Sequence, residues 1–229
     1  MNQKKTPGKL VRLAKRGLDL AGVLGGGLLL SPVMLGTSLA LLATQGRPVF
    51  FRQTRPGLGG RPFRIIKFRT MTAPRPDQVW YLTDEQRTTR LGRFLRRTSL
   101  DELPELWNVL RGEMSLVGPR PLLVEYLDQY SPEEARRHDV PPGITGWAAI
   151  NGRHTKKFRE RLALDVWYVD HWSFWLDLEI LARTVYQVLR REDVRDTQGI
   201  DEIGFPLPKA PPRTEPAASA GEDGARSTP

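Results

Sequence analysis

From Leu20 to Thr44 the chain reads LAGVLGGGLLLSPVMLGTSLALLAT, 25 residues without a formal charge. A straight helix over this run would measure about 37 Å at roughly 1.5 Å per residue, which is membrane length. The apolar stretch outlasts that of a cleaved signal peptide, so it reads as an uncleaved anchor. Residues 1–16 ahead of it hold six Lys and Arg and no acid. Behind it come Arg47, Arg52, Arg55, Arg61, Arg64, Lys67, Arg69 and Arg75 before the next acid, Asp77. Basic flanks prefer the cytoplasmic side of a membrane, and one straight spanning helix cannot place both flanks there. Pro32, near the middle, removes a helical hydrogen bond and crowds the preceding turn. Ser31 beside it offers a hydroxyl to a freed carbonyl. Two readings follow: a helix bent at Ser31 and Pro32 that re-enters the cytoplasmic leaflet, and a Pro-kinked helix that spans.

The remainder suits one domain that buries a core without disulfides, since the 229-residue chain has no cysteine. A thiolate metal site is thereby excluded. His138, His154 and His171 lack ligand spacing, so any metal would be bound by oxygen. A net charge of +9 and a pI near 10.2 call for an anionic partner: nucleic acid, an acidic membrane surface or a phosphorylated substrate.

Past the anchor, aromatic and β-branched runs flank the turn-rich RPGLGGRP and predict a β-hairpin or a pair of extended segments. Lys67 and Arg69 lie on its polar side, as a solvated face or an anion site. Two helices are expected next, one with an apolar stripe of Leu91, Phe94 and Leu95, the other with Leu103, Leu106, Trp107 and Leu110. Between them stands RRTSLDELPEL, residues 96–106. Ser99 and Glu102 fit a capping box, and Pro104 belongs in a first helical turn. Asp101 then falls at the N-cap or within two residues of it. There the helix terminus, with Arg96 and Arg97, is expected to keep Asp101 ionised and to gather phosphate. Such a carboxylate is either an ordinary cap or a nucleophile toward phosphorus.

Arg120, held between two prolines in GPRPLL, is placed as a phosphate clamp or is one surface arginine among many. Gly152 permits a tight turn that presents Arg153. Trp167, Tyr168, Trp172, Phe174 and Trp175 suit either a headgroup zone or a packed core. Residues 196–229, rich in Pro, Ala, Gly and Ser, are expected to be disordered.

PVFFRQTRPG, IIKFRTM, RRTSLDELPELWNVLRGEMSLVGPRPLL, PGITGWAAINGR and LALDVWYV stand in the order and spacing of the bacterial sugar transferase family. From about residue 10 to about residue 195 the chain resembles a monotopic phosphoglycosyl transferase. The resemblance implies the re-entrant form of the helix, bent at Ser31 and Pro32. It also implies transfer of a sugar-1-phosphate from a UDP-sugar to polyprenyl (undecaprenyl) phosphate, with release of UMP and a requirement for Mg²⁺. Asp101 would be the nucleophile that forms an aspartyl-phosphosugar intermediate, and Glu102 would help to hold Mg²⁺. Lys67, Arg96, Arg120 and Arg153 match phosphate-contacting positions, and Arg69 and Arg97 beside them join that set. Two positions depart from the family, which often has Gln where this chain has Glu105 and Ala149. No added multi-helix membrane region is expected ahead of residue 17, as in the minimal form of the family.

The implied organisation is a basic segment 1–16, a re-entrant membrane helix 17–46, a catalytic domain 47–195 and a tail 196–229. The fold class is α+β, mostly helical, with a small hairpin, and the catalytic domain is expected on the cytoplasmic face of the inner membrane. The expected partners are donor, lipid acceptor and membrane lipid, without nucleic acid. The competing reading is a non-enzymatic membrane-surface binder of anionic lipid or nucleic acid.

Overall fold

The structure, a computed structural model, describes residues 9–73, 84–151 and 157–190. Arg153, the first eight residues and the tail lie outside them. The uncharged run folds as the greater part of α1 (Lys9–Gln45), one helix with Pro32 inside it. Pro32 has no N–H for the Leu28 carbonyl. The Ser31 hydroxyl donates to that same carbonyl at 2.8 Å, as the sequence led us to expect. By length and composition α1 is the one helix among the described residues able to cross a membrane.

The hairpin forms as expected. β1 (Phe50–Pro56) pairs antiparallel with β2 (Pro62–Phe68), Phe51 opposite Lys67 and Arg55 opposite Phe63. Beyond them lie α2 (Asp84–Arg87), α3 (Arg90–Arg97), a 3₁₀ segment Leu100–Glu105 and α4 (Leu106–Arg111). A second small sheet pairs β3 (Ser115–Val117) in parallel with β4 (Gly143–Thr145), and α5 (Pro132–Ala135) lies in the connection between them. The described chain closes with α6 (Trp147–Ile150), α7 (Phe158–His171) and α8 (Phe174–Arg190). The class is therefore mostly helical with a small hairpin.

The Thr89 side chain caps α3 by accepting from the Gly92 N–H at 2.9 Å. The expected capping box at Ser99 and Glu102 does not form. Ser99 sits in the left-handed region at φ 54° and makes no side-chain cap bond, whereas a capping residue takes extended backbone. Pro104 is inside that segment, and α4 begins only at Leu106. The box is found instead at Ser131 and Glu134, at the start of α5.

Both arms of α1 pack on the rest of the protein while its middle does not. On the N-terminal arm, Lys15 Nζ meets the buried Asp177 at 2.6 Å and the Val117 carbonyl at 3.0 Å. Arg16 donates to the Val109 and Leu110 carbonyls at the end of α4. Asp19 accepts from the Ser115 hydroxyl and the Leu116 N–H, and Val23 joins Ile65, Val109 and Met114 in the core. On the C-terminal arm, Leu41 is buried against Phe68 and Leu95. Between the arms, Leu28 and Leu29 are 79% and 78% exposed.

The two expected apolar stripes are only partly inside. Leu95 is buried and Leu91, Leu103, Leu106 and Leu110 pack against core clusters. Phe94 and Trp107 are each 54% exposed and join none of the core clusters. Among the later aromatics, Tyr168, Trp167 and Trp172 belong to the core around Val117 and Ile180, whereas Trp175 is exposed.

Candidate active site

β2 is stapled to α4, which directly continues the 3₁₀ segment, and this brings Lys67 to the DELPEL carboxylates. The staple is Asn108, fully buried, whose side chain accepts from the Ile66 N–H and donates to the Arg64 carbonyl. Strand period two puts Phe51, Gln53 and Arg55 on the same hairpin face as Phe63, Ile65 and Lys67. Ile65 on that face is buried, while Arg52 and Arg64 on the other are exposed.

Lys67 Nζ lies 2.9 Å from Glu102 Oε1 and 3.0 Å from Glu105 Oε1. Arg120 Nη2 reaches the same Glu102 oxygen at 2.6 Å. One carboxylate oxygen thus holds two cations, each further restrained. Arg120's carbonyl accepts from Arg137 at 2.6 Å, and the fully buried Arg137 is paired with Asp165 at 2.7 Å. Arg96 Nε donates to the Thr70 hydroxyl at 3.0 Å.

Electrostatics revise one expectation. Asp101 is not held in the ordinary carboxylate range: burial raises its pKa first, and the neighbouring Glu102 raises it further. Lys67, Arg120 and Arg96 oppose that rise. A short 3₁₀ segment lacks the aligned amides of a long helix, so desolvation dominates. Glu105, 2% exposed, is pushed up to about 7 by burial, with Lys67 pulling the other way and Glu102 adding to the rise. Burial disfavours the charge on Arg120, but Glu102 more than compensates and its pKa rises above the usual value.

The structure therefore brings together Asp101, Glu102, Lys67, Arg96 and Arg120. Arg69 is engaged otherwise: its Nη2 donates to the Gln45 and Gly46 carbonyls and ties down the exit of α1. Arg97 is exposed at the end of α3. Sequence reading passed over Asn108 and Arg137, because a buried staple and a surface polar residue look alike in a string of letters. It noted Glu105 only as a departure from a pattern.

Three buried or half-buried carboxylates, Asp101, Glu102 and Glu105, beside three cations form a place where phosphate charge can be met and an acid held close to it. A family model described as bacterial sugar transferase matches residues 10–191. A protein of Bacillus subtilis (strain 168), named uncharacterized sugar transferase EpsL, is 52% identical over 175 residues, covering 76% of this chain and 87% of that protein. UDP-glucose:undecaprenyl-phosphate glucose-1-phosphate transferase of Caulobacter vibrioides is 43% identical over 197 residues, 82% of this chain and 74% of its own length. The enzyme of that name from Escherichia coli (strain K12) is 43% identical over 186 residues, 77% of this chain but 40% of its own length. The matched length and the clustered DELPEL carboxylates together place this chain in the bacterial sugar transferase family, a family of transferase enzymes.

Proposed function

We propose that the protein transfers a sugar-1-phosphate from a UDP-sugar to undecaprenyl phosphate at the cytoplasmic face of the inner membrane and releases UMP. The observation that carries this reading is the ion-pair cluster in which Lys67 and Arg120 meet on Glu102, with Asp101 half-buried in its field. The names of the Caulobacter and Escherichia relatives support both substrates and make UDP-glucose the first donor to try.

In the proposed chemistry an Asp101 carboxylate oxygen forms a bond to the sugar-bearing phosphorus. The bridging P–O bond breaks, and its electron pair leaves with UMP. A phosphate oxygen of the lipid then attacks the same phosphorus and returns Asp101 to its carboxylate. Splitting the transfer in two lets a soluble donor and a lipid acceptor use one site in turn. Lys67, Arg96 and Arg120 meet the phosphate charge, and Arg137 fixes the backbone from which Arg120 extends.

Mg²⁺ suits this donor set. Among the described residues no cluster of three or more His, Cys, Asp or Glu could cage a metal. Mg²⁺ is commonly held by one or two carboxylates, with phosphates and water completing its shell. Glu102 would hold it, and the ion would offset phosphate charge. Both arms of α1 rest on one body while Leu28 and Leu29 project, which supports a re-entrant helix whose exposed middle enters the cytoplasmic leaflet.

The test is UMP release from UDP-glucose with undecaprenyl phosphate by purified full-length protein. Asp101→Asn is expected to lose at least about a thousandfold in rate, the scale of removing a covalent nucleophile. Wild type treated with donor alone should gain the mass of a hexose phosphate on the peptide containing Asp101. Wild-type rate should fall as pH drops through a pKa above the usual carboxylate range, because the raised Asp101 must be ionised to attack. Full activity in Asp101→Asn would sink the mechanism.

A further inference from the structure

Arg120 hangs between two contacts. Among the described residues its side chain makes one hydrogen bond, from Nη2 to Glu102 at 2.6 Å, and its backbone makes one, the carbonyl accepting from Arg137 Nη2 at 2.6 Å. The parallel pairing of β3 with β4 does not reach it. Those bonds run from the Ser115 N–H to the Pro142 carbonyl and from the Gly118 N–H to the Thr145 carbonyl. They end where the Pro119 carbonyl accepts from the Gly143 N–H at 3.0 Å. Pro121, next in the chain, has no N–H to offer. The Arg120 guanidinium is therefore aimed from its backbone by Arg137 and from its tip by Glu102.

Arg137 is in turn aimed from α7. It lies in the 3₁₀ turn Arg136–Asp139 and is 2% exposed, with Asp165 on α7 at 5%. Its Nε and Nη2 donate to the same Asp165 oxygen at 3.1 and 2.7 Å, and its Nη1 donates to the Tyr130 hydroxyl at 3.4 Å. Every nitrogen of the fork is engaged, and Nη2 is shared between Asp165 and the Arg120 carbonyl. A pair of charges taken this far from water gains little stability over apolar side chains of the same volume. What it supplies is direction, since a planar guanidinium clamped by a carboxylate presents its remaining N–H along a fixed line. Asp165 is also the one acid in LALDVWYV, a segment that takes no part in the DELPEL cluster.

We propose that Asp165, acting through Arg137, is a positioning residue for Arg120: it holds the Arg120 backbone where the guanidinium meets both Glu102 and the phosphate charge of the donor. This role rests on the sugar-phosphate transfer proposed above.

The experiment is a double-mutant cycle on full-length protein in nanodiscs, read as kcat and donor KM for UMP release from UDP-glucose with undecaprenyl phosphate. Replacing the pair, Arg137→Met with Asp165→Leu, should lower kcat about tenfold to a hundredfold, the scale of displacing an oriented group by about an ångström. The thermal midpoint should stay close to that of wild type, because both charges leave together. In an Arg120→Met background the same replacement should cost less than about a further twofold, since no guanidinium is left to aim. Arg137→Lys keeps the charge and loses the fork. It should show the same dependence on background, and it carries the test if the pair replacement does not fold. An unchanged kcat with Arg120 present overturns the assignment. So does an equal loss in both backgrounds, the mark of a pair that only holds the fold together. Wild type that releases no UMP overturns the transfer reading and this role with it, whereas an active wild type with additive losses overturns the positioning role alone.

Discussion

Glu105 carries a carboxylate into a place built for a neutral group. A glutamate in an unfolded chain titrates near 4.5, and in the fold burial lifts Glu105 to about 7. Below about pH 4.5 it is protonated in both states and exacts no penalty. As pH rises toward and through 7, the folded state must hold a charge that its surroundings disfavour, so stability falls. Glu105→Gln keeps the shape and removes the titration. Its thermal midpoint should exceed that of wild type at pH 8 and change less between pH 5 and pH 8, by roughly 2–4 °C for each kcal/mol recovered. Parallel midpoint curves for the two proteins would end this account. That Lys67 and Arg120 belong with the Asp101–Glu102 pair was legible from the family resemblance, since each lies in a motif that matches it, and the structure shows the ion pairs that join Glu102 to both cations. The ionisation of the carboxylates was not, since it depends on how deeply DELPEL is buried. A string of letters gives the neighbouring charges but not the solvent they lose.

At the scale of elements, the placement of α3 rests on a close approach. A Cβ at Gly92 would fall 1.9 Å from the Thr70 carbonyl oxygen and 2.7 Å from its carbon, both backbone atoms. Thr70 follows β2 and accepts from Arg96, so a shift here reaches the cluster. Gly92→Ala should destabilise the protein by about 1–3 kcal/mol, the range of overpacking, and slow turnover through Arg96. Thermal denaturation and the UMP-release rate would check both, and a variant as stable as wild type would refute the contact. The hairpin was readable because strand runs and turn residues agree with each other. The helix after Ser99 was not, since the S-x-x-E pattern is met equally by a chain that turns through the left-handed region. Phe94 and Trp107 misled for a related reason: periodicity gives the faces of a helix but not whether another element covers each face.

At the scale of the molecule, both ends of the longest helix are built into one core. If that helix re-enters the leaflet, single cysteines placed at positions 12 and 60 should both react with an impermeant maleimide from the cytoplasmic side alone. Labelling of the two from opposite faces would show a spanning helix. The length and apolarity of α1 could be read from the sequence. Its intimacy with the catalytic body could not, because Lys15, Asp19 and Leu41 look like incidental members of a basic flank and an apolar run. They are internal parts: Lys15 neutralises Asp177, Arg16 closes the end of α4, and Leu41 fills the space between Phe68 and Leu95. It follows that α1 is not a tether. A shortened protein begun after residue 45 would inherit an orphaned acid at its centre and an open seam along β2 and α4. The border between α1 and the rest of the protein is thus crossed by a buried ion pair at one end of the helix and by core contacts at both.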